Sequence, residues 1–337
     1  MTQTPDEKWN NRLIKAADTQ NPAALRQALE NNADINTKTA DGFTAVIIAA
    51  FTNHYETLEI LVTEGAELNH VTMRGNTALS LALHHMPHGD AQKCLDLLLE
   101  AGADPGCDKS LAIAAGKGLT EYVTRFIAAG ADVDNHAPVI SAAINGHNDI
   151  LRILIAAGAD VNASYENGET ALSYAVMNGY TDCADILIAA GADSHIRNDR
   201  DETILHRAVQ GGENFKKFSA DFFAEIDKDV QNRYGKTALM EAVHRGYDDT
   251  VVLLLEAGAK TEISDNSGQT ALAMAQQLGH DDCIRTLIAY GADTSSLSGD
   301  NKEKFAKDVA AYQKKIKQAA RRKRQQILRR YNRGRKN

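Results

Sequence analysis

His84, His85, His88 and Cys94 bring together, in one short stretch, the nitrogen and sulfur ligands that zinc prefers. Adjacent histidines on a helix or loop face different sides, however, and no second ligand pair stands at zinc-finger spacing. The stretch reads as a solvated loop, with no metal. Gly235-Lys236-Thr237 mimics the end of a phosphate-binding loop, but that loop needs a glycine five residues before Gly235, where Val230 stands. It reads instead as a hairpin turn followed by a helix cap. Cys94, Cys107, Cys183 and Cys283 form no CxxC pair and read as small core residues, free thiols in a reducing compartment. There is no G-x-S-x-G, no H-E-x-x-H, and no carboxylate pair with a positioned histidine. The sequence therefore predicts no catalytic residue, no cofactor and no small-molecule substrate: the chain is not an enzyme.

The elements that carry these residues recur. An apolar run ending in Ala-Gly-Ala-Asp or a near relative closes at Gly65, Gly102, Gly130, Gly158, Gly191, Gly258 and Gly291. Upstream of such runs stands a second signature: DGFTAV at 41–46, RGNTAL at 74–79, NGETAL at 167–172, RDETIL at 200–205, YGKTAL at 234–239 and SGQTAL at 267–272. In one unit, Thr170 is placed to cap a short helix, Gly179 to end it, and Cys183, Ile186 and Leu187 to share one face of a second helix. No such unit encloses its own apolar face, so stability must come from stacking. Nine layers at about 10 Å each give a rod on the order of 80 Å with an open side.

These two signatures resemble the ankyrin repeat, over roughly residues 10–294. The resemblance implies an all-α ankyrin-repeat solenoid of about nine stacked helix–turn–helix units with short hairpin loops, the first unit being a degenerate cap. It implies that His206 hydrogen-bonds between neighbouring turns. It also implies that partners dock on the hairpin tips and on the exposed side of the first helices. By register those positions are Phe43, Met73, Tyr165 and Tyr234 at the tips, and Ile48, Phe51, Leu81, His84, Tyr174, Met177, Arg207, Glu241 and Arg245 on the helices. Exposed aromatic and Met side chains are what an interface centre uses. The function implied is a non-catalytic scaffold or adaptor, a monomer that binds another protein.

Departures from the pattern are local. Spacings of 28 residues around Gly130 and Gly158 predict stubby hairpins in units four and five, and the third unit carries an insertion over 84–90. Unit seven holds Phe215, Phe218, Phe222 and Phe223 where leucines belong and lacks the Gly-Ala-Asp ending, which predicts a kink or a bulkier layer.

Charge divides the chain in two. Residues 295–337 hold 15 Lys and Arg against Asp300, Glu303 and Asp308, while the preceding residues hold 22 bases and 42 acids, a net of −20. The array at 1–294 is thus expected to favour a partner with basic surface. In the tail at 295–337, Asp300 and Glu303 resemble a capping box, and Phe305, Val309, Tyr312 and Ile316 form a stripe that predicts a helix covering the last repeat. Beyond it lie Arg321, Arg322, Lys323, Arg324, Arg329 and Arg330. They read as a solvated or self-docking end, as an attachment to nucleic acid or anionic membrane, or as a targeting signal. An Arg-rich end also resembles export signals of bacterial effectors that capture a host protein, which would move the expected cytoplasmic location to a host cytoplasm or nucleus. No apolar run approaches the ~20 residues of a membrane helix, and Met1 to Trp9 has no signal-peptide pattern. With 43% hydrophobic and 24% charged residues, wholesale disorder, a disulfide scaffold and a collagen-like fibre are excluded as well.

Overall fold

The computed structural model describes residues 5–86, 89–218, 220–223, 225–295 and 297, and, in the C-terminal segment, 304, 305, 309, 313 and 314. The side chains of Pro5, Ala220 and Asp221 are not described. Among these residues the regular elements are helices, with isolated bridges Ser164–Thr170 and Ser264–Thr270 marking two hairpins. No described helix is long and apolar enough to cross a membrane. The chain forms two compact units, Met1–Ala163 and Ser164–Asn337.

The first unit alternates inner and outer helices: α1 (Pro5–Asp18) with α2 (Pro22–Glu30), α3 (Ala45–Phe51) with α4 (Tyr55–Thr63), α5 (Ala78–His84) with α6 (Ala91–Glu100), α7 (Ser110–Gly116) with α8 (Thr120–Ala128), and α9 (Pro138–Asn145) with α10 (Asn148–Ala156). Thr44 and Thr77 stand just before their helices in extended backbone and accept the amides of Ile47 and Ser80, as a hydroxyl cap should. The runs Ala45–Ala50 and Ala78–Leu83 are buried at every position. Alanines let neighbouring helices approach, and isoleucine and leucine fill the remaining space.

The shortened hairpins lie where the 28-residue spacing puts them, between α6 and α7 and between α8 and α9. The first is held by Asp108, a buried carboxylate. It accepts from the amide and hydroxyl of Thr77 at 3.0 and 2.7 Å, and from those of Ser110 at 2.9 and 2.5 Å. One carboxylate here joins two repeats where a hairpin is missing. The insertion of the third repeat lies in the α5–α6 connection.

The second unit pairs α11 (Ala171–Asn178) with α12 (Thr181–Ala189), α14 (Ala238–Arg245) with α15 (Asp248–Glu256), and α16 (Ala271–Leu278) with α17 (Asp281–Ala289). Between them α13 (Ile204–Gln210) has no α-helical mate. Two 3-10 turns, Gly212–Lys217 and Ala220–Phe223, take its place. Phe215, Phe218 and Phe223 are buried there, the rings of Phe215 and Phe223 stacking at 5.2 Å. Four phenylalanines without leucine periodicity build an aromatic plug, not a helix face.

The segment after α17 packs back on it. Leu297, Phe305 and Val309 are buried, Lys304 pairs with Asp281 at 2.7 Å, and the Arg285 guanidinium lies 5.7 Å from the Phe305 ring. Of the tail's apolar stripe, Phe305 and Val309 are the described members, and both are buried. Tyr312 and Ile316, the Asp300/Glu303 pair, and the basic residues Arg321 to Arg330 lie outside the described residues.

Candidate protein-binding surface

Each inner helix starts from a capping position, Thr44, Thr77, Lys109 and Ala137 in the first unit and Thr170, Thr203, Thr237 and Thr270 in the second. Four residues on, the side chain turns inward. Ile48 is 9% exposed and Leu81 5%, so both belong to the core and not to an exposed binding face. In the second unit the same position is buried at Met274 and half-buried at Tyr174, Arg207 and Glu241. Seven residues on, near the helix end, the side chain emerges. Phe51 is 48% exposed, His84 is exposed, and Ile144 is partly so. Met177 is half-buried and His244 exposed in the second unit. The two positions share a stripe, but only the second reaches the surface.

Arg207, Glu241 and Arg245, expected as contact residues, are engaged internally. Glu241 pairs with Arg245 at 2.8 Å along one helix. The Arg207 side chain is 12% exposed and sits between two buried carboxylates, 3.2 Å from Glu169 and 4.0 Å from Glu202. Asn198 Nδ2 donates to both acids at 2.8 Å, Ser173 Oγ donates to Glu169 at 2.6 Å, and Gln210 donates to Glu202 at 2.7 Å. The void among these groups measures about 10 Å³, room for one water and not for a substrate. Arg207 is therefore a lock between repeats, because two carboxylates at 5–6% exposure need a fixed cation beside them. Tyr174 lies half-buried beside this cluster, with burial and Glu169 pushing its hydroxyl up from the ordinary tyrosine range.

The hairpin tips do present side chains. Met73 is 81% exposed, Tyr234 57% and Tyr165 48%, with Phe43 half-buried. Val71, exposed beside Met73, was not among the expected contacts. In the second unit the tips are laced together: the Asp199 amide donates to Asn167 O, Arg233 to Arg200 O and Asn266 to Tyr234 O. Gly235 sits at φ +74°, and a Cβ there would come within 2.5 Å of the Asn266 amide nitrogen. That glycine lets adjacent tips touch.

The groups that suggested chemistry are structural. His206 accepts from Thr203 Oγ1 at 2.9 Å through Nδ1 and donates through Nε2 to Lys236 O at 3.0 Å, linking two turns as the resemblance implies. Burial holds it below the ordinary histidine range. Thr237 caps α14, and Lys236 supplies the carbonyl that His206 uses. No group of three or more His, Cys, Asp or Glu among the described residues could hold a metal; His88 lies outside them. Cys94, Cys183 and Cys283 are buried. Cys107 is not a core residue: it is exposed in the shortened α6–α7 loop, where its thiol donates to Asp104 at 3.1 Å. That bond pushes it up to about 11.

Two lysines escaped the sequence reading. Lys117 Nζ bonds His84 O at 3.1 Å, and neither it nor Lys109 has an ion-pair partner among the described residues. His84 is held below its ordinary range by burial and then by the charges of Lys117, Lys109 and His85. The family comparison bears on the whole array. A family model described as ankyrin repeats, three copies, matches residues 13–109, 88–165, 111–198, 163–218, 188–265 and 205–298. No curated protein matches the chain.

Proposed function

Because the chain belongs to the ankyrin-repeat family, whose repeats mediate protein–protein interaction, we propose that it is a non-catalytic adaptor that holds a protein partner against its inner helices and hairpin tips. The observation that carries this reading is, in the first unit, the exposed row of Phe51, His84 and Ile144 with the tip Met73; the second unit by itself exposes the tips Tyr165 and Tyr234. Large side chains stand there although no core requires them. Anchors of this kind dominate interface energetics when they enter a partner's pocket.

The test is capture of a partner by the full chain, followed by isothermal titration of the purified pair. Changing Phe51 and Met73 to serine is expected to weaken binding at least tenfold while leaving the melting temperature within a few degrees, since both are exposed. Unaltered affinity in the double variant refutes this surface. Turnover of any small molecule by the purified chain, abolished by one substitution at Glu169 or His206, refutes the adaptor reading itself.

A further inference from the structure

The net charge before the tail is strongly negative, but it is not spread evenly. In the first unit every outer helix carries a carboxylate: Glu30 on α2, Glu56 and Glu59 on α4, Asp96 and Glu100 on α6, Glu121 on α8, Asp149 on α10. Of the inner helices, α1 carries Asp6, Glu7 and Asp18, whereas α3, α5, α7 and α9 carry none. Lys109 and Lys117 flank α7, and the one carboxylate at its start, Asp108, is buried and taken up by Thr77 and Ser110. The charges that bear on His84 are those of Lys117, Lys109 and His85. Lys117 donates to the His84 carbonyl and has no ion pair among the described residues. A chain rich in acids has kept them off this face.

One outward position on this face has no side chain. Gly116 occupies the emerging position of α7, between His84 and Ile144. A Cβ there would meet only Asn145 and Ser141, at 3.6 Å, so the glycine leaves room and is not required by close packing. Ile113 and Ser141, at the position that Ile48 and Leu81 bury in the unit's full-length repeats, are partly exposed beside it. Phe51 stands at one end of the row, its ring edge-on to His85 at 5.7 Å, and Ile144 at the other. A bare glycine position between exposed apolar side chains, flanked by two lysines and with no free carboxylate on α3, α5, α7 or α9, is complementary to a negatively charged segment that carries a bulky apolar side chain.

Resting on the adaptor reading, we propose that the inner face of the first unit docks an acidic segment of the partner protein, with an apolar side chain seated over Gly116 and carboxylates beside Lys109 and Lys117. The chain's own basic tail carries the wrong sign to occupy this face. Net charge alone points to a basic partner, and the local chemistry of this face points the other way.

The experiment is selection of a displayed library of random 12-residue peptides on the immobilised full chain, repeated on K109E/K117E, on G116L, and on a variant with Arg321, Arg322, Lys323 and Arg324 changed to glutamine. Circular dichroism melts confirm that each variant folds. Selected peptides are expected to be acidic with a large apolar residue. They should lose at least tenfold in affinity on K109E/K117E and on G116L, and bind the tail variant as they bind the parent. Basic peptides overturn the inference, as do acidic peptides that ignore K109E/K117E, and both leave the adaptor reading standing. Acidic peptides lost only with the tail variant assign the charge to the tail and overturn it also. Failure to select any peptide whose binding depends on inner-face or tip residues overturns the inference together with the adaptor reading.

Discussion

Removing the Arg207 side chain tests whether the second unit depends on a buried ionic lock. Arg207→Ala leaves Glu169 and Glu202, both 6% exposed at the side chain, facing each other without a cation. Asn198, Ser173 and Gln210 still donate to them, which keeps the oxygens hydrogen-bonded but does not neutralise them. Breaking a buried pair in this way costs about 3–5 kcal/mol. With the remaining donors in place, the lower end, about 3 kcal/mol, is expected. Urea unfolding followed by far-UV circular dichroism reads the total, and hydrogen exchange at α11 and α13 localises it. The triple variant E169Q/E202Q/R207M removes all three charges and keeps the volume, and it should recover most of the loss. A loss under 1 kcal/mol in Arg207→Ala, or no recovery in the triple variant, refutes the lock. The result also separates stability from contact: Arg207 variants that fail to bind a partner would do so by unfolding.

Three further outcomes are expected. Phe305→Ala removes a ring that is 1% exposed against α17. It should cost about 3 kcal/mol and raise hydrogen exchange in α17, whereas unchanged exchange would show that the tail does not cap the array. His206 is held low by burial, so the unfolded chain takes up its proton first. Stability should therefore fall as pH drops below about 6.5 toward the folded value, and this slope should vanish in His206→Asn. A slope that persists in the variant would place the titration elsewhere. Cys107 is the exposed thiol among four, yet at about 11 it is mostly protonated because it donates to Asp104. Iodoacetamide at pH 8 should modify it first but slowly, and Asp104→Asn should speed this several-fold up to about a hundredfold; equal rates would refute the bond.

What the residues disclosed and what they hid follow from the range of the forces involved. Caps at Thr44, Thr77 and Thr170 and the turn of Gly179 act within a few residues, so their spacing revealed the helix pairs. Hairpin deletions were equally legible, because each shifts a repeating pattern by a countable amount. The binding face was only half legible. Ile48 and Leu81 lie on the same stripe as Phe51 and His84, and helical periodicity alone cannot say which turn of the stripe a neighbour covers. Nor could it show that Arg207 lies between Glu169 and Glu202, since the partners come from two repeats. The recurrence of Glu just before the capping threonine, at Glu169-Thr170 and Glu202-Thr203, was the available signal. The aromatic run of unit seven predicted only a kink or a bulkier layer, because 3-10 turns have no periodicity long enough to read.

The repeats thus solve two problems with different residues. Bonds that cross from one repeat to the next use groups that vanish from the surface: Asp108 on Thr77 and Ser110, His206 on Lys236 O, Arg207 on Glu169. Near the ends of inner helices, the side chains of Phe51, His84 and Ile144 are exposed. Because the buried apolar runs and these crossing bonds hold the layers together, the outward positions are free to change without loosening the stack. That freedom explains how an acidic chain can present a face bare of carboxylates. Lys109 closes the shortened α6–α7 loop and Lys117 stands at the other end of α7. The acid of that loop, Asp108, is engaged by Thr77 and Ser110, so the two lysines are left for a partner segment with carboxylates around an apolar side chain.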